Sequence, residues 1–358
     1  MHKRLCFPLL LLVSGLFSNL YAQLTIKGKV LDADSRQPLV SASVYCENTT
    51  LFTTTDATGN FSLLMMPGGY NLIISYTGYE TQAFRVSESN EKMFILLARE
   101  DRRLKEVVVT TKSRLVEDGW NNYGSYFMQN FIGTTPNAEE CRLQNPEALK
   151  FYYYSESNKI KVFATAPLKI SNKAFGYTLS YALDSFVYLF ADNICSYWGI
   201  CRYTEMEGND NQKKTWARNR KRAYEGSVLH FMRSYYKGTL SSDGWDIALQ
   251  QENDPETFDR VANPFDRAYY VRIKENEEIE LQFPRRIRVR YLKKEPEPEY
   301  LEKYSLPRKM TILSSAVDLK EKIRVKENGY YYHQLSWISY NYWSWKNMAD
   351  ILPYDYIP

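Results

Sequence analysis

The stretch Asn60-Phe61-Ser62-Leu63-Leu64-Met65-Met66-Pro67-Gly68-Gly69-Tyr70-Asn71-Leu72-Ile73-Ile74-Ser75-Tyr76 decides the fold of the first part of this chain. Phe61, Leu63 and Met65 recur at every second position, and so do Tyr70, Leu72, Ile74 and Tyr76 beyond a Pro-Gly-Gly turn. A strand sends alternate side chains to opposite faces, so each set lines one buried face. The same rhythm continues outward. Ile26, Gly28 and Val30 alternate with Lys27 and Lys29, and Ala42, Val44 and Cys46 share an inward face. Asp32-Ala33-Asp34 and Asp56-Ala57-Thr58-Gly59-Asn60 supply turns between these runs. About seven short strands in ~75 residues predict an antiparallel sandwich over residues 23–98, with Val30, Val44, Phe61, Leu72 and Ile74 inside.

Several linked positions carry a family likeness. Gly28-Lys29-Val30-Leu31-Asp32, then Pro38-Leu39-Val40-Ser41-Ala42-Ser43-Val44, resembles the opening of the carboxypeptidase regulatory-like domain. Thr55-Asp56, Gly59-Asn60-Phe61-Ser62-Leu63, Pro67-Gly68-Gly69-Tyr70 and Ser75-Tyr76-Thr77-Gly78-Tyr79-Glu80 continue its pattern in order. The resemblance implies a transthyretin-like sandwich, common in envelope proteins of Bacteroidota and at the N-termini of their TonB-dependent receptors. It implies no peptidase activity. Leu104-Lys105-Glu106-Val107-Val108-Val109-Thr110-Thr111 is similar to the TonB-box-like linker of those receptors, and reads equally as an ordinary linker or a strand. No plug sequence follows. A 22-stranded barrel at ~10 residues per strand would use the whole chain.

The first 22 residues read as an address. Lys3 and Arg4 precede a nearly unbroken apolar run from Leu5 to Phe17, and Ala22 stands at the exit. This is the pattern of a secretory signal peptide, cleaved before Gln23. The 358-residue chain then still holds roughly two domains at ~150 residues each. Its formal charge of +4 falls to about +2 without Lys3 and Arg4, too little for a nucleic-acid binder. An aromatic share of 15%, with 30 Tyr, favours β-rich packing. Export permits disulfides, and Cys46, Cys141, Cys195 and Cys201 allow three full pairings. Bridging Cys195 to Cys201 requires a turn at Tyr197-Trp198-Gly199; buried free thiols are the alternative.

The remainder predicts a β-rich α+β domain over residues 136–358, entered through a linker over 99–135. Residues 136–150 read as a helix with Pro136 near its start. Strand-like runs follow at 151–154, 159–164 and 176–190. Over 211–237 the period becomes helical, with Trp216, Ala223, Ser227, Phe231 and Tyr235 on one side. Glu295-Pro296-Glu297-Pro298-Glu299 reads as a stiff charged connector. Runs such as Asn137-Ala138-Glu139-Glu140-Cys141 and Arg218-Asn219-Arg220 are similar to a C-terminal region that accompanies this sandwich in Bacteroidota envelope proteins, a likeness that bears on architecture alone.

Catalytic motifs are missing from the sequence. After the leader only His230 and His333 remain, in no HExxH or HxxE pattern, and there is no GxSxG, Walker A or GxGxxG run. His230 reads as packed or capping. Asp243-Gly244-Trp245-Asp246 reads as a turn more readily than a calcium ligand set. The aromatic C-terminus, with Trp337, Trp343 and Trp345, reads as core before glycan platform. Two basic clusters stand out: Arg218, Arg220, Lys221 and Arg222 on the helical run, and Arg286, Arg288 and Arg290 on a strand. Arg forks suit phosphate and carboxylate oxygens, so these seven residues form the candidate interaction surface. Neutralisation by Glu275–Glu280 and Glu295–Glu302 is the plainer reading.

The expectation is therefore a non-catalytic exported binding or assembly protein of the periplasm or outer membrane, without cofactor. Its partner would be an envelope protein, with anionic lipid or lipopolysaccharide as a further contact and no nucleic acid. The rival is an envelope enzyme acting on glycan or peptide through carboxylates of the second domain.

Overall fold

The structure is a computed structural model that describes residues 24–86, 92–100 and 113–358. The signal peptide expected over residues 1–22 and the linker-like run at 104–111 lie outside the described residues. Strand β1 (Leu24–Asp32) is the centre of the first sheet. It pairs antiparallel with β4 (Asn60–Met65) and parallel with β7 (Lys92–Leu97). The second sheet runs β3 (Phe52–Thr54), β2 (Ser43–Cys46), β5 (Tyr70–Ser75), β6 (Gln82–Val86). This is the expected seven-stranded sandwich, with one amendment: the β1–β7 pairing is parallel. Alternation along a strand reports which face is buried and leaves pairing direction open. Val30, Val44, Leu72 and Ile74 are wholly buried, and Phe61 nearly so. Gly28 is required where Phe61 crosses it, because a Cβ there would lie 2.5 Å from the Phe61 ring.

Beyond the sandwich, the described residues begin again at β8 (Ser113–Leu115), ahead of residue 136. It is followed by β9 (Cys141–Leu143), β10 (Leu149–Tyr154), β11 (Lys159–Ala164), β12 (Leu168–Asn172), β13 (Tyr177–Leu189) and β14 (Ile194–Glu205). The order is β8-β10-β11-β13-β12-β9, with β14 along the other edge of β13. Helix α1 (Gly119–Phe131) covers this sheet and sinks Phe127 and Phe131 into its core. The expected helix over 136–150 is corrected. Only α2 (Pro136–Glu139) is α-helical, with a single 3-10 turn at Pro146–Ala148; α2 is started by Pro136 and capped by Thr135, whose hydroxyl accepts from the Ala138 N–H. Cys141–Leu143 then pairs with β12, and Pro146 cannot donate to a continuing helix.

Helix α3 (Asp210–Tyr224) opens with a reciprocal cap between Asn209 and Gln212. The helical run does not continue to 237 as one piece. Gly226 adopts φ 83°, and Ser227 caps a second helix, α4 (Val228–Lys237). Ser227 is thus a cap rather than part of an apolar stripe. A short α5 (Leu240–Asp243) ends on Gly244 at φ 94°, so the Asp243–Asp246 segment is the turn that leads into a strand.

Nine further strands follow: β15 (Trp245–Gln250), β16 (Phe258–Arg260), β17 (Tyr270–Ile273), β18 (Glu278–Leu281), β19 (Ile287–Tyr291), β20 (Leu313–Leu319), β21 (Ile323–Val325), β22 (Tyr331–Tyr332) and β23 (Trp337–Asn341). They form a five-stranded sheet, β16-β15-β19-β20-β23, and a four-stranded one, β17-β18-β21-β22. Phe231, Tyr235, Trp337, Trp343 and Trp345 fill the core against them, which is the packing role expected of the aromatic C-terminus. Of the charged connector expected at Glu295–Glu299, Glu295, Pro298 and Glu299 are exposed while Pro296 and Glu297 are buried. Glu297 is buried, ion-paired with Lys294 at 3.3 Å and Lys346 at 3.4 Å, and Pro298 starts α6 (Pro298–Lys303).

Cys195 and Cys201 lie on one unbroken strand, opposite Tyr188 and Tyr181. Six steps at ~3.3 Å separate them by about 20 Å, too far for a bridge. All four described cysteines are free thiols.

Candidate anion-binding groove

The loop before β13 and helix α3 hold each other. Trp216 Nε1 donates to the Lys173 carbonyl at 2.9 Å, and Asn219 Nδ2 to the Ala174 carbonyl at 2.9 Å. Arg220 Nε donates to the Phe175 carbonyl at 2.7 Å, while its guanidinium lies 3.8 Å from the centre of the Tyr177 ring and meets Glu205 at 2.7 Å. Arg220, whose side chain is 13% exposed, is therefore a clamp between α3 and this loop. Its charge is spent on carbonyls, a carboxylate and a π face.

Along the same helix, Arg218 and Lys221 are exposed and have no acidic partner among the described residues. They form one wall of a groove of about 660 Å³. Tyr177 and Glu205 form its floor, and the segment Pro353, Asp355, Tyr356, Ile357, Pro358 forms the facing wall. Thr50 of the sandwich closes one end. That facing segment is pinned from three sides. Arg233 donates to the carbonyls of Tyr356 at 2.8 Å and Tyr354 at 2.9 Å. The Tyr354 N–H reaches the Asn48 carbonyl at 2.9 Å, and the Thr50 N–H and hydroxyl both donate to Asp355. Burial raises the Asp355 carboxyl above its ordinary value, with the Thr50 hydrogen bonds opposing. The groove therefore carries two cations, Arg218 and Lys221, with no ion pair among the described residues, beside an Arg220–Glu205 pair and an Asp355 carboxyl held by Thr50, an arrangement that accepts an anionic group at the two free cations.

A second cavity of about 290 Å³ shares Lys221 and Pro358 with the groove. His230 lines it, packed edge-on to Trp245 and Tyr291 and tilted against Tyr224. Its Nδ1 accepts from the Gly226 N–H at 3.3 Å, which leaves Nε2 to carry the proton of the neutral ring. Burial lowers its pKa to about 4. Asp243 sits nearby. Burial would raise it, but hydrogen bonds from Thr239 and Ser234 hold it below the usual range.

The second basic cluster contributes nothing here. Arg286 makes a two-pronged pair with Asp318 at 2.8 and 2.7 Å, Arg288 covers Phe258 at 3.9 Å, and Arg290 shares Asp246 with Arg260. Its neutralising partners are aspartates on neighbouring strands, not the expected Glu275–Glu280 and Glu295–Glu302 runs. Arg222 is exposed without lining the groove. Of the seven expected residues, the fold brings together Arg218, Arg220 and Lys221. The sequence analysis missed Thr50, Tyr177, Glu205, Asp355 and Tyr356, which come from four distant segments and share no motif.

Comparison with known proteins bears on the sandwich. Residues 26–109 match the CarboxypepD_reg-like domain family. TonB-dependent receptor SusC of Bacteroides thetaiotaomicron is 36% identical over 104 residues, which is 28% of this chain and 10% of the receptor. TonB-dependent receptor P39 of Formosa agariphila is 36% identical over 106 residues, 29% of this chain and 10% of that receptor. The chain thus spans about a tenth of the length of these curated relatives. A DUF3823 family protein of Parabacteroides merdae aligns over 54% of this chain and 85% of its own at 10% identity, with a TM-score of 0.18, below what a shared fold requires. The N-terminal sandwich of this chain thus matches the CarboxypepD_reg-like domain over residues 26–109.

Proposed function

We propose that this is a non-catalytic, exported binding or assembly protein of the periplasm or outer membrane, in which the groove between α3 and residues 353–358 takes an acidic segment of an envelope protein. The observation that carries the binding role is the pair of exposed cations, Arg218 and Lys221, which line the groove and have no acidic partner among the described residues. The envelope location is supported by a sandwich of the kind found in two TonB-dependent receptors. The test is a crosslinking pulldown from native membranes with the wild-type chain and with the double variant Arg218→Glu, Lys221→Glu. An envelope protein recovered by the first and lost by the second is expected. Equal recovery by both removes the groove from the function.

The rival reading, an envelope enzyme acting on glycan or peptide, draws on the His230–Asp243 cavity beside the groove. It requires turnover by purified protein that disappears in His230→Gln. Zinc bound one-to-one through His230 or His333 would favour it over the binding role.

A further inference from the structure

The first sheet of the sandwich turns one face inward and the other away from the core. The outward residues are Thr25, Lys27, Lys29 and Leu31 on β1, Asn60, Ser62 and Leu64 on β4, and Lys92, Phe94 and Leu96 on β7. Among the described residues this face carries three lysines and no carboxylate. Register places Lys27 beside Lys92, Lys29 beside Phe94, and Leu31 beside Leu96. Phe94 is 70% exposed and Leu64 51% exposed, the former among the most exposed large apolar side chains of the described residues. The Lys92 ammonium lies 5.7 Å from the Phe94 ring centre. Like charges on adjacent strands repel when nothing neutralises them, so the face is stabilised by an anionic surface laid over it.

We propose that this face docks the protein on an anionic phospholipid surface, with Phe94 entering the headgroup region and Lys27, Lys29 and Lys92 contacting phosphate oxygens. Lipid is favoured over a protein partner by the composition and charge of the face. Its composition of one protruding ring ringed by long cationic stems, whose methylenes can lie along an apolar boundary while the ammonium stays hydrated, is that of an interfacial anchor. The inference is independent of the groove, which lies on α3 and residues 353–358.

The experiment is co-sedimentation of the purified full chain with vesicles of phosphatidylethanolamine and phosphatidylglycerol, against phosphatidylcholine alone. Wild type is expected to sediment with the anionic vesicles and to be released by 0.5 M salt, because exposed charges are screened within about a Debye length. Lys27→Glu, Lys29→Glu, Lys92→Glu together should weaken binding at least tenfold, and Phe94→Ser by several-fold. These side chains leave the core intact, so an unchanged unfolding midpoint certifies both variants as folded. Arg218→Glu, Lys221→Glu should sediment like wild type. No sedimentation of wild type, equal binding by the triple variant, or loss only in the groove variant would each overturn the proposal. Capture of an acidic protein by this face in place of vesicles would do the same.

Discussion

Arg218 and Arg220 are two positions apart on one helix and have opposite fates. Spacing alone marks both as cations on a basic run, and helical geometry turns them about 200° apart. The fold then presents Arg220 to two backbone carbonyls, the Glu205 carboxylate and a Tyr ring, and leaves Arg218 exposed. The carbonyls belong to Phe175 and Gly176, and nothing local to α3 announces them. His230 shows the same dependence on surroundings, with a measurable consequence. Its folded pKa of about 4 lies below the ordinary 6.5, so the unfolded chain binds the extra proton first. That contribution to stability is complete above about pH 6.5 and is lost as pH falls towards 4. Denaturant titrations across this window should show stability falling by up to a few kcal/mol from this residue. In His230→Gln that component of the slope should disappear. A variant with the wild-type slope would assign the pH dependence to other groups.

At the level of elements, the division of one helical run into α3 and α4 rests on Gly226. Its φ of 83° belongs to the left-handed region, and an added Cβ would come within 2.9 Å of Leu313 Cδ1. Its carbonyl also accepts from Trp343 Nε1 at 2.8 Å, which ties the break to the aromatic core. Gly238, which ends α4 at φ 74°, has no atom within 4 Å of such a Cβ. Gly238→Ala should therefore cost about 1–2 kcal/mol, the backbone penalty alone. Gly226→Ala should exceed it by roughly 1 kcal/mol or more, because packing must also give way. Equilibrium unfolding of the two variants checks the order, and equal losses would mean that Leu313 yields freely. A glycine inside a periodic run was visible in sequence; that it breaks the helix was not, because Gly is tolerated in helix interiors at ~1 kcal/mol. Gly119 and Gly124 make the point in reverse, since both sit within α1.

For the molecule as a whole, the sandwich has a core of its own, built only from its own strands and turns, with Val30, Val44, Leu72 and Ile74 at its centre. It is nonetheless fastened to the rest. Asn328 brackets Gly69 with hydrogen bonds of 3.2 and 3.0 Å, Asn71 reaches the Tyr330 hydroxyl at 2.8 Å, and Arg85 lies 3.3 Å over the Tyr332 ring while pairing with Glu278. A fragment of residues 24–98 should consequently fold by itself with a cooperative transition, at a lower midpoint than in the full chain. Circular dichroism during thermal unfolding tests this. A disordered fragment would show that the docking contacts complete the core.

What the sequence by itself determined is whatever repeats at short range. The period of two between Ile26 and Tyr76 and the turn residues between those runs specify strands β1, β2, β4 and β5 and the face each buries, since each strand's pattern is written in its own residues. Strand β14 was less legible, because a Cys195–Cys201 bridge would have required a turn at Tyr197-Trp198-Gly199 and only pairing with β13 shows the chain running straight there. Only the tertiary structure decided the parallel β1–β7 pairing, the clamp at Arg220, the buried Glu297 and the groove. Each joins residues that are far apart in the chain, and their meeting depends on packing summed over the whole molecule. Thr50 and Asp355 are 305 positions apart and share two hydrogen bonds. No local preference of either residue contains that contact.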